Sequence, residues 1–324
     1  MAFKILGTGS SHPDKLVTND ELAQYMDTSD EWISQRTGIR SRYLSDGIGT
    51  TEMSAQAAQR ALEMAGISPS ELDLIIVGTI SPDHYFPSAA CEVQAKLGAD
   101  NAMAFDVSAG CTGFLYILQI ADGFFAAGSA KKALLIGAET LSKMMDWSDR
   151  STCVLFGDGA AACVIEAADG SEPDRKVVFE SGSDGSRGGA LCCDHRPLNN
   201  LFVKNEDRID FTHMDGQAVF KFAVKTVPAA IEKALEKAGL TPDDVDMYLL
   251  HQANIRIIES VAKRLSQPMD KFPVIIQEYG NISAGSVPLL TDIQVRNGNL
   301  KRGMKIVMAG FGAGLTWSAC VLTF

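Results

Sequence analysis

The sequence predicts an α/β protein that consists of two similar halves. Short apolar segments alternate with helical patterns along the 324 residues, and this order is typical of folds with buried, largely parallel sheets. Residues 61–73 also resemble residues 234–246, with seven of thirteen positions identical at an offset of 173. Because an internal repeat indicates a duplicated unit, we predict two stacked halves, residues 1–172 and 173–324. Shorter matches at nearly the same offset relate Leu134–Gly137 to Val307–Gly310 and Ser108–Cys111 to Ser283–Ser286.

The elements follow from hydrophobic periodicity and turn residues. Strands are predicted at 3–9, 74–79, 102–108, 133–137, 161–167, 177–180, 247–250, 272–277, 305–309 and 316–324. Helices are predicted at 51–65, 89–97, 113–127, 216–238, 255–265 and 287–296. The polar segment Asp169–Asp174 is interpreted as the linker between the halves, and Gly182–Asn200 as a loop over the fold. The vicinal pair Cys192–Cys193 in that loop lacks metal-ligand spacing, so we assign it a structural role.

The overall composition excludes several classes of function. A formal net charge of −11 argues against general nucleic-acid binding. No apolar run approaches the roughly 18 residues of a membrane span, and the N-terminal segment lacks the apolar region of a signal peptide. The seven cysteines are odd in number and include no C-x-x-C pair, so neither zinc nor a disulfide framework is indicated. We therefore expect a reduced, cytoplasmic protein without a metal.

The segment around Cys111 is the first candidate for chemistry. Apolar residues lead into a turn of small residues, and an almost wholly apolar helix follows from Gly113, so Cys111 stands at or just before the first helical turn. Free N–H groups and the helix dipole favour a thiolate there and lower a cysteine pKa from about 8.5 into roughly the 3.5–7.5 range. A small apolar residue that fills a tight corner explains the same position. This segment alone leaves a nucleophile and a packing role equally open.

Polar residues of the second half complete a possible site. His251 ends a buried strand, where ligand sites of α/β sheets form. Asn281 lies in the turn before the helix at 287–296, and 310–314 is a glycine-rich loop that can present backbone N–H groups. Each of these signals is weak by itself, since His251 also suits a core position and Asn281 also suits a normal turn. If the halves superpose, Cys111, His251 and Asn281 should converge beside the pseudo-dyad.

These motifs together resemble β-ketoacyl-acyl-carrier-protein synthase III, the initiating condensing enzyme of bacterial fatty-acid synthesis within the thiolase superfamily. The resemblance covers essentially the whole chain, and it implies a thiolase-like fold of two pseudo-symmetric α/β halves stacked as α-β-α-β-α layers. Elongating ketoacyl synthases use Cys-His-His, thiolases use two cysteines, and chalcone synthases share Cys-His-Asn on a longer chain. Asn281 and the short length therefore select synthase III. The segments that carry the resemblance are 19–40, 86–91, 104–114, 156–160, 251–254 and 280–281.

The resemblance implies a decarboxylative Claisen condensation. A short acyl-CoA such as acetyl-CoA would acylate Cys111, and malonyl-ACP would then attack the acyl group to give 3-oxoacyl-ACP. His251 and Asn281 would stabilise the enolate, while the backbone N–H groups of Cys111 and Ala313 would form the oxyanion hole. The family often has a glycine where Ala313 stands, and only the N–H is required. No metal or redox cofactor is implied, because the coenzyme A thioester is itself the substrate.

The resemblance also assigns binding residues for each substrate. The CoA contacts are Thr28, Trp32, Arg36, Arg150 and Asn254, with adenine held between Trp32 and Arg150. The acyl pocket is formed by Phe86, Leu141, Phe156 and Met214, and Phe86 would reach it across a homodimer interface. Arg256, with Lys221 and Lys225 beside it, would contact the acidic carrier protein. A solvated helix face is the less favoured alternative for the lysines.

Four other classes of function are possible but less well supported by the sequence. Residues 109–113 resemble a nucleophile elbow with Cys in place of Ser, and a papain-like hydrolase also combines Cys, His and Asn, but neither class is duplicated. Residues 7–12 lack the third glycine of a dinucleotide fingerprint, which disfavours a dehydrogenase. The main alternative is an acyltransferase on the same fold, which would pass the acyl group from Cys111 to an alcohol or amine. A non-catalytic acyl-binding module would not need all three polar groups.

Overall fold

The computed structural model describes residues 3–168, 177–194, 197–206 and 210–324. The predicted linker Asp169–Asp174 and the predicted division at 172/173 fall on 169–176, outside the described residues, so both stay predictions. The strands are β1 (Phe3–Ser11), β2 (Leu16–Thr18), β3 (Ser41–Tyr43), β4 (Leu74–Gly78), β5 (Met103–Val107), β6 (Lys132–Thr140), β7 (Asp158–Ala167), β8 (Val177–Ser183), β9 (Leu191–Cys192), β10 (His213–Met214), β11 (Met247–Leu250), β12 (Lys305–Gly312) and β13 (Thr316–Thr323). The α-helices are α1 (Asn19–Leu22), α2 (Asp30–Thr37), α3 (Thr50–Ala65), α4 (Ala89–Leu97), α5 (Gly113–Ala126), α6 (Gly216–Ala238), α7 (Ile255–Arg264), α8 (Ile276–Tyr279) and α9 (Ser286–Arg296).

Two sheets form the framework of the described chain. One has the strand order β1-β7-β6-β4-β5 and the other the order β11-β12-β13-β8. β4 pairs in parallel with β5 and β6, and β11 pairs in parallel with β12, but the remaining neighbours in both sheets are antiparallel. The prediction of largely parallel sheets is therefore wrong. β7 follows β6, and β13 follows β12, without an intervening α-helix, so the chain returns antiparallel in both places.

Side chains alternate between the two faces of each strand and pack against helices on both sides of each sheet. The result is five layers. On β4, Leu74 and Ile76 pack into the core that contains α5, whereas Ile75 and Val77 face the core that contains α3 and α4. In the second sheet the odd and even residues of β11 divide in the same way, toward α9 on one side and toward α6 and α7 on the other. This alternation is what a strand buried on both faces requires. The order α-β-α-β-α confirms the predicted fold class.

The centre of the molecule depends on small residues. Gly113 of α5 lies so close to the second half that a Cβ on it would be 3.1 Å from Ala284 Cβ, and a Cβ on Gly137 of β6 would overlap the Ala284 carbonyl oxygen. Each central helix follows a 3-10 turn, Gly110–Thr112 before α5 and Ser283–Gly285 before α9. The turns that precede the two central helices, α5 and α9, are thus in direct contact in the central layer.

Two local predictions are wrong. Residues 272–277 do not form a strand, because Gln252 Oε1 accepts the N–H groups of Ile275 (3.0 Å) and Ile276 (3.2 Å) and helix α8 follows. The predicted loop 182–200 contains the end of β8, a 3-10 turn at Gly185–Ala190 and strand β9, which pairs with β10. Within the described ranges, no helix is long and apolar enough to cross a membrane.

Candidate active site

The backbone around Cys111 leaves no space for larger residues. Gly110 adopts φ +52, which favours glycine, and Cys111 follows it in the 3-10 turn that leads into α5. The end of β12 comes close to this turn: a Cβ on Gly312 would lie 2.7 Å from the Cys111 nitrogen and 3.1 Å from the Cys111 Cβ. Because Gly312 has no side chain, the loop with Ala313 lies directly against Cys111.

The Cys111 thiol is buried, and this changes its acidity. Burial raises the pKa of Cys111 to about 12, and the nearby carboxyl of Glu139 acts in the same direction, while the Ser283 hydroxyl opposes it. The predicted lowering of the Cys111 pKa by the helix terminus is therefore wrong for the resting protein. The physical reason is desolvation, because the turn before α5 lies between two sheets rather than at the surface. Cys111 is a thiol at neutral pH.

His251 is held as a neutral imidazole. It follows β11 directly, and its backbone N–H donates to Ala309 O at 2.8 Å. The side chain is 3% exposed, and neither ring nitrogen has a hydrogen-bond partner among the described residues. Burial lowers the pKa of His251 to about 3. A neutral ring keeps one N–H donor, which is free for a ligand.

Asn281 is oriented by its neighbours so that one donor remains. Its backbone N–H donates to Leu155 O at 2.9 Å, and its carbonyl accepts from the Gly157 N–H at 3.0 Å. The side-chain Oδ1 accepts the Ser283 N–H at 2.8 Å. With Oδ1 engaged in this turn, the Nδ2 group is the part of the amide that can bind a ligand.

One cavity of about 340 Å³ brings together the three predicted catalytic residues, Cys111, His251 and Asn281. Five further predicted residues line it, namely Trp32, Arg36, Asn254, Phe156 and Met214. A smaller cavity of about 60 Å³ shares Cys111 and Phe156 with the first, and it is also lined by Leu141, Ala313, Ser283 and the pair Cys192–Cys193. The nucleophile thus stands at the junction of a wide cavity and a narrow one.

Helix α2 brings the predicted CoA residues to the mouth of the wide cavity. Ser29 caps this helix by accepting the Trp32 N–H at 3.1 Å. The guanidinium carbons of Arg36 and Arg150 lie 4.6 and 4.9 Å from the Trp32 ring centroid. An adenine held between Trp32 and Arg150 would stack about 3.5–4.0 Å from each of them. The two groups would then be farther apart than they are here. Arg150 therefore has to move before the predicted sandwich can form.

Hydrogen bonds of Asn254 link helix α2 to helix α7 of the second half. It caps α7 by accepting the Arg256 N–H at 2.9 Å, and its Nδ2 donates to Arg36 O at 3.0 Å. Arg256 also bonds α2, since its Nη2 donates to Gln35 O at 2.6 Å. Thr28 precedes α2, and its buried Oγ1 has no partner within the part of the chain that is described.

Five predicted residues line neither cavity. Thr28, Arg150 and Arg256 lie on or beside the elements just described, whereas Phe86 and Lys221 lie elsewhere. Phe86 is 85% exposed on the surface of the single chain. Lys221 lines a separate groove of about 450 Å³ on α6, together with Lys225 and the aromatic pair Phe222 and Trp317. This groove contains none of the three catalytic candidates.

Comparison with known proteins identifies the family of this chain. The family model for 3-oxoacyl-[acyl-carrier-protein (ACP)] synthase III matches residues 105–185, and the model for the C-terminal part of 3-oxoacyl-[acyl-carrier-protein (ACP)] synthase III matches 235–324. The chain is 48% identical over 325 residues to the β-ketoacyl-[acyl-carrier-protein] synthase III of Clostridium acetobutylicum, covering 99% of this chain and 98% of that relative. The chain belongs to the β-ketoacyl-acyl-carrier-protein synthase III family.

Solved structures agree with this assignment. The synthase III of Aquifex aeolicus superposes with a TM-score of 0.92 at 43% identity and covers 99% of this chain and 100% of that one. The synthase III of Thermus thermophilus gives a TM-score of 0.92 at 38% identity, with coverage of 99% and 98%. The family and the thiolase-like fold predicted from the sequence are confirmed. Membership of the synthase III family also favours condensation over the alternative acyl transfer.

Sequence reasoning missed three features of this synthase III site. Glu139 is fully buried near Cys111, beyond the point where the predicted strand 133–137 ends. A charged residue that continues an apolar strand was the available signal. Ser283, next to the catalytic turn, and the pair Cys192–Cys193 both line the narrow cavity. The structural role assigned to the two cysteines stays a prediction.

Proposed function

We propose that this protein condenses a short acyl-CoA with malonyl-ACP, releasing CO₂ and giving 3-oxoacyl-ACP, the step that initiates fatty-acid synthesis. The observation that carries the proposal is that Cys111, His251 and Asn281 line one cavity of about 340 Å³. These are a nucleophile and two hydrogen-bond donors, which covalent acyl transfer and enolate stabilisation require.

In the first half-reaction, the sulfur of Cys111 attacks the acyl-CoA thioester carbon and CoA leaves. The oxyanion of the tetrahedral intermediate is held by the N–H groups of Cys111 and Ala313. The close approach of Gly312 to Cys111 supports this role, because it brings the following loop within reach of the thiol. One such donor contributes about 10²–10³ in rate in comparable sites.

In the second half-reaction, malonyl-ACP loses CO₂ and its thioester oxygen takes the negative charge. His251 and Asn281 each donate one hydrogen bond to this oxygen. The low pKa of His251, about 3, suits a neutral donor that does not lose its proton to the enolate. The carbanion attacks acyl-Cys111, the carbon–sulfur bond breaks, and 3-oxoacyl-ACP is released. The reaction as proposed uses no metal or redox cofactor.

The narrow cavity supports a short starter group. Its volume is about 60 Å³, compared with about 340 Å³ for the wide cavity. Leu141 and Phe156 form its walls, as predicted for the acyl pocket, whereas Met214 lines the wide cavity. A short acyl-CoA such as acetyl-CoA is therefore the preferred starter in this proposal.

A homodimer and an acidic carrier protein are the proposed partners. Tyr85 and Phe86 are 71% and 85% exposed, and strand β5 is a sheet edge with Met103 58% exposed. Large apolar side chains beside an open edge support a second copy there. Lys221, together with Lys225 and Arg256, supports docking of the carrier's acidic surface. All seven cysteines are free, which supports a reducing, cytoplasmic location.

Intact-mass measurement with a panel of acyl-CoAs tests the proposal. We expect one acyl group per chain, mapped to Cys111 by peptide analysis, with short acyl groups transferred fastest. Malonyl-ACP should then discharge the adduct as 3-oxoacyl-ACP. Discharge to an alcohol or amine would instead establish the alternative acyltransferase. A Cys111→Ala variant that still carries the acyl group would refute the assigned nucleophile.

A further inference from the structure

The two proposed enolate donors come from separate segments of the second half, 251–254 and 275–281, which we call the donor segments. His251 follows strand β11, and its backbone N–H donates to strand β12 at 2.8 Å, so the sheet fixes it. Asn281 follows helix α8, which belongs to neither sheet. Both donors must lie about 2.7–3.1 Å from one enolate oxygen. The spacing of the donor segments therefore bears directly on the condensation step.

Gln252, the residue after His251, joins the donor segments. Its Oε1 accepts the N–H groups of Ile275 (3.0 Å) and Ile276 (3.2 Å), and its Nε2 donates to Leu250 O at 2.9 Å. The first N–H groups of a helix lack partners inside the helix, and no side chain at the start of α8 accepts them. Gln252 therefore caps α8 from the segment that carries His251.

Gln252 has this effect without entering the site. Its side chain is 0% exposed, and it lines neither cavity, although its neighbours His251 and Ala253 both line the wide one. It therefore touches neither substrate. Any influence of Gln252 on the reaction has to pass through the groups that it holds.

A shift at the start of α8 would be passed on to Asn281. The buried carbonyl of Ile276 accepts the Gly280 N–H at 3.0 Å, and Asn281 is the next residue. Without the Gln252 amide, two buried N–H groups would lose their acceptor, so the helix would have to move or admit water. Within the described ranges, no other hydrogen bond joins the two donor segments. The separation of the two donors thus depends on Gln252.

We propose that Gln252 is a positioning residue that sets the spacing between the two enolate donors. The inference rests on the proposed function, in which both donors act during condensation but not during acylation of Cys111. A displacement of about 1 Å can slow a reaction by about 10²-fold. Loss of the Gln252 link should therefore slow condensation and leave acylation close to the wild-type rate.

Single-turnover measurements of the two half-reactions test this role. Gln252→Met removes the acceptor at nearly constant volume, and Gln252→Asn retains an amide that is one methylene group too short, so either variant serves if the other fails to fold. Intact mass after rapid quenching records acylation by acetyl-CoA, and formation of 3-oxoacyl-ACP by pre-acetylated protein records condensation with malonyl-ACP. We expect condensation to slow by about 10- to 100-fold and acylation to stay close to the wild-type rate.

A double-mutant cycle tests whether the effect passes through Asn281. In an Asn281→Ala background, Gln252→Met should slow condensation little further, because the donor that it displaces is already absent. Gln267→Met is the matched control. Gln267 is also a buried glutamine of the second half, and its Nε2 donates to Asp243 Oδ1 at 2.6 Å, but it lines neither cavity. Both half-reactions should keep their wild-type rates in this control.

The possible outcomes separate the two proposals. Selective slowing of condensation that is not additive with Asn281→Ala would establish the positioning role. Wild-type condensation in the folded Gln252 variants, equal slowing of both half-reactions, or full additivity with Asn281→Ala would overturn it. Absence of any acyl-enzyme in the wild type would instead refute the proposed function.

Discussion

Replacing Gly312 by alanine should perturb the proposed oxyanion hole without changing any polar group. The new Cβ would lie 2.7 Å from the Cys111 nitrogen and 3.1 Å from both the Cys111 Cβ and the Thr112 nitrogen. Contacts this short force either the end of β12 or the turn 110–112 to move. Such overpacking lowers the free energy of unfolding by about 1–3 kcal/mol. Displacement of the Cys111 or Ala313 N–H should slow acylation by about 10²–10³.

Rapid quenching followed by intact-mass analysis measures the acylation rate, and urea unfolding measures stability. Gly123→Ala is the matched control, because Gly123 lies in α5 with open space around its Cβ position. Alanine is preferred over glycine in a helix by about 1 kcal/mol, so this control should be at least as stable as the wild type and acylate normally. Wild-type acylation by a stable Gly312→Ala protein would refute the reasoning.

Three further predictions concern acidity, CoA binding and the buried core. His251 has a folded pKa of about 3 against an unfolded value near 6.5, so stability should fall as the pH drops below about 6.5; at pH 5 the loss is about 2 kcal/mol. Urea unfolding of His251→Asn should lack this loss, and identical pH profiles would contradict it. If Arg150 stacks on adenine as predicted, Arg150→Ala removes a contact worth about 1 kcal/mol, so KM for acetyl-CoA should rise about fivefold. KM for acetyl-pantetheine, which lacks adenine, should not change, and an equal rise for both would argue against stacking. Arg42 is fully buried and donates to Asn19 Oδ1 (2.7 Å) and Val154 O (2.6 Å), so Arg42→Met should destabilise by about 1–3 kcal/mol for each acceptor left unpaired. An unchanged urea midpoint would show that water replaces the guanidinium.

Local signals in the sequence were sufficient for most elements. The run Met247–Leu250 is apolar at every position, and the strand has those bounds. Helix α4 begins and ends as predicted, because Ser88 caps the Cys91 N–H and Gly98 ends the helix in a left-handed conformation. The strand predicted at 272–277 was wrong for a tertiary reason. The side-chain amide of Gln252 accepts backbone N–H groups there that a neighbouring strand would otherwise have to bind.

For the site, the sequence alone predicted which residues would carry the chemistry. The internal repeat and the order of motifs pointed to Cys111, His251 and Asn281, and these side chains share one cavity. Their ionisation was decided by the tertiary structure. A helix terminus favours a thiolate, whereas burial between two sheets raises the pKa of Cys111 to about 12.

Only the tertiary structure shows that Glu139 and Ser283 lie near Cys111. They come from a strand of the first half and a turn of the second, and neither belongs to the motifs that carry the resemblance. Their proximity depends on the backbone contact between Gly137 and Ala284. Sequence patterns report which residues prefer strands, helices and turns, because those preferences are local. Desolvation and contacts between distant segments arise only when the layers pack.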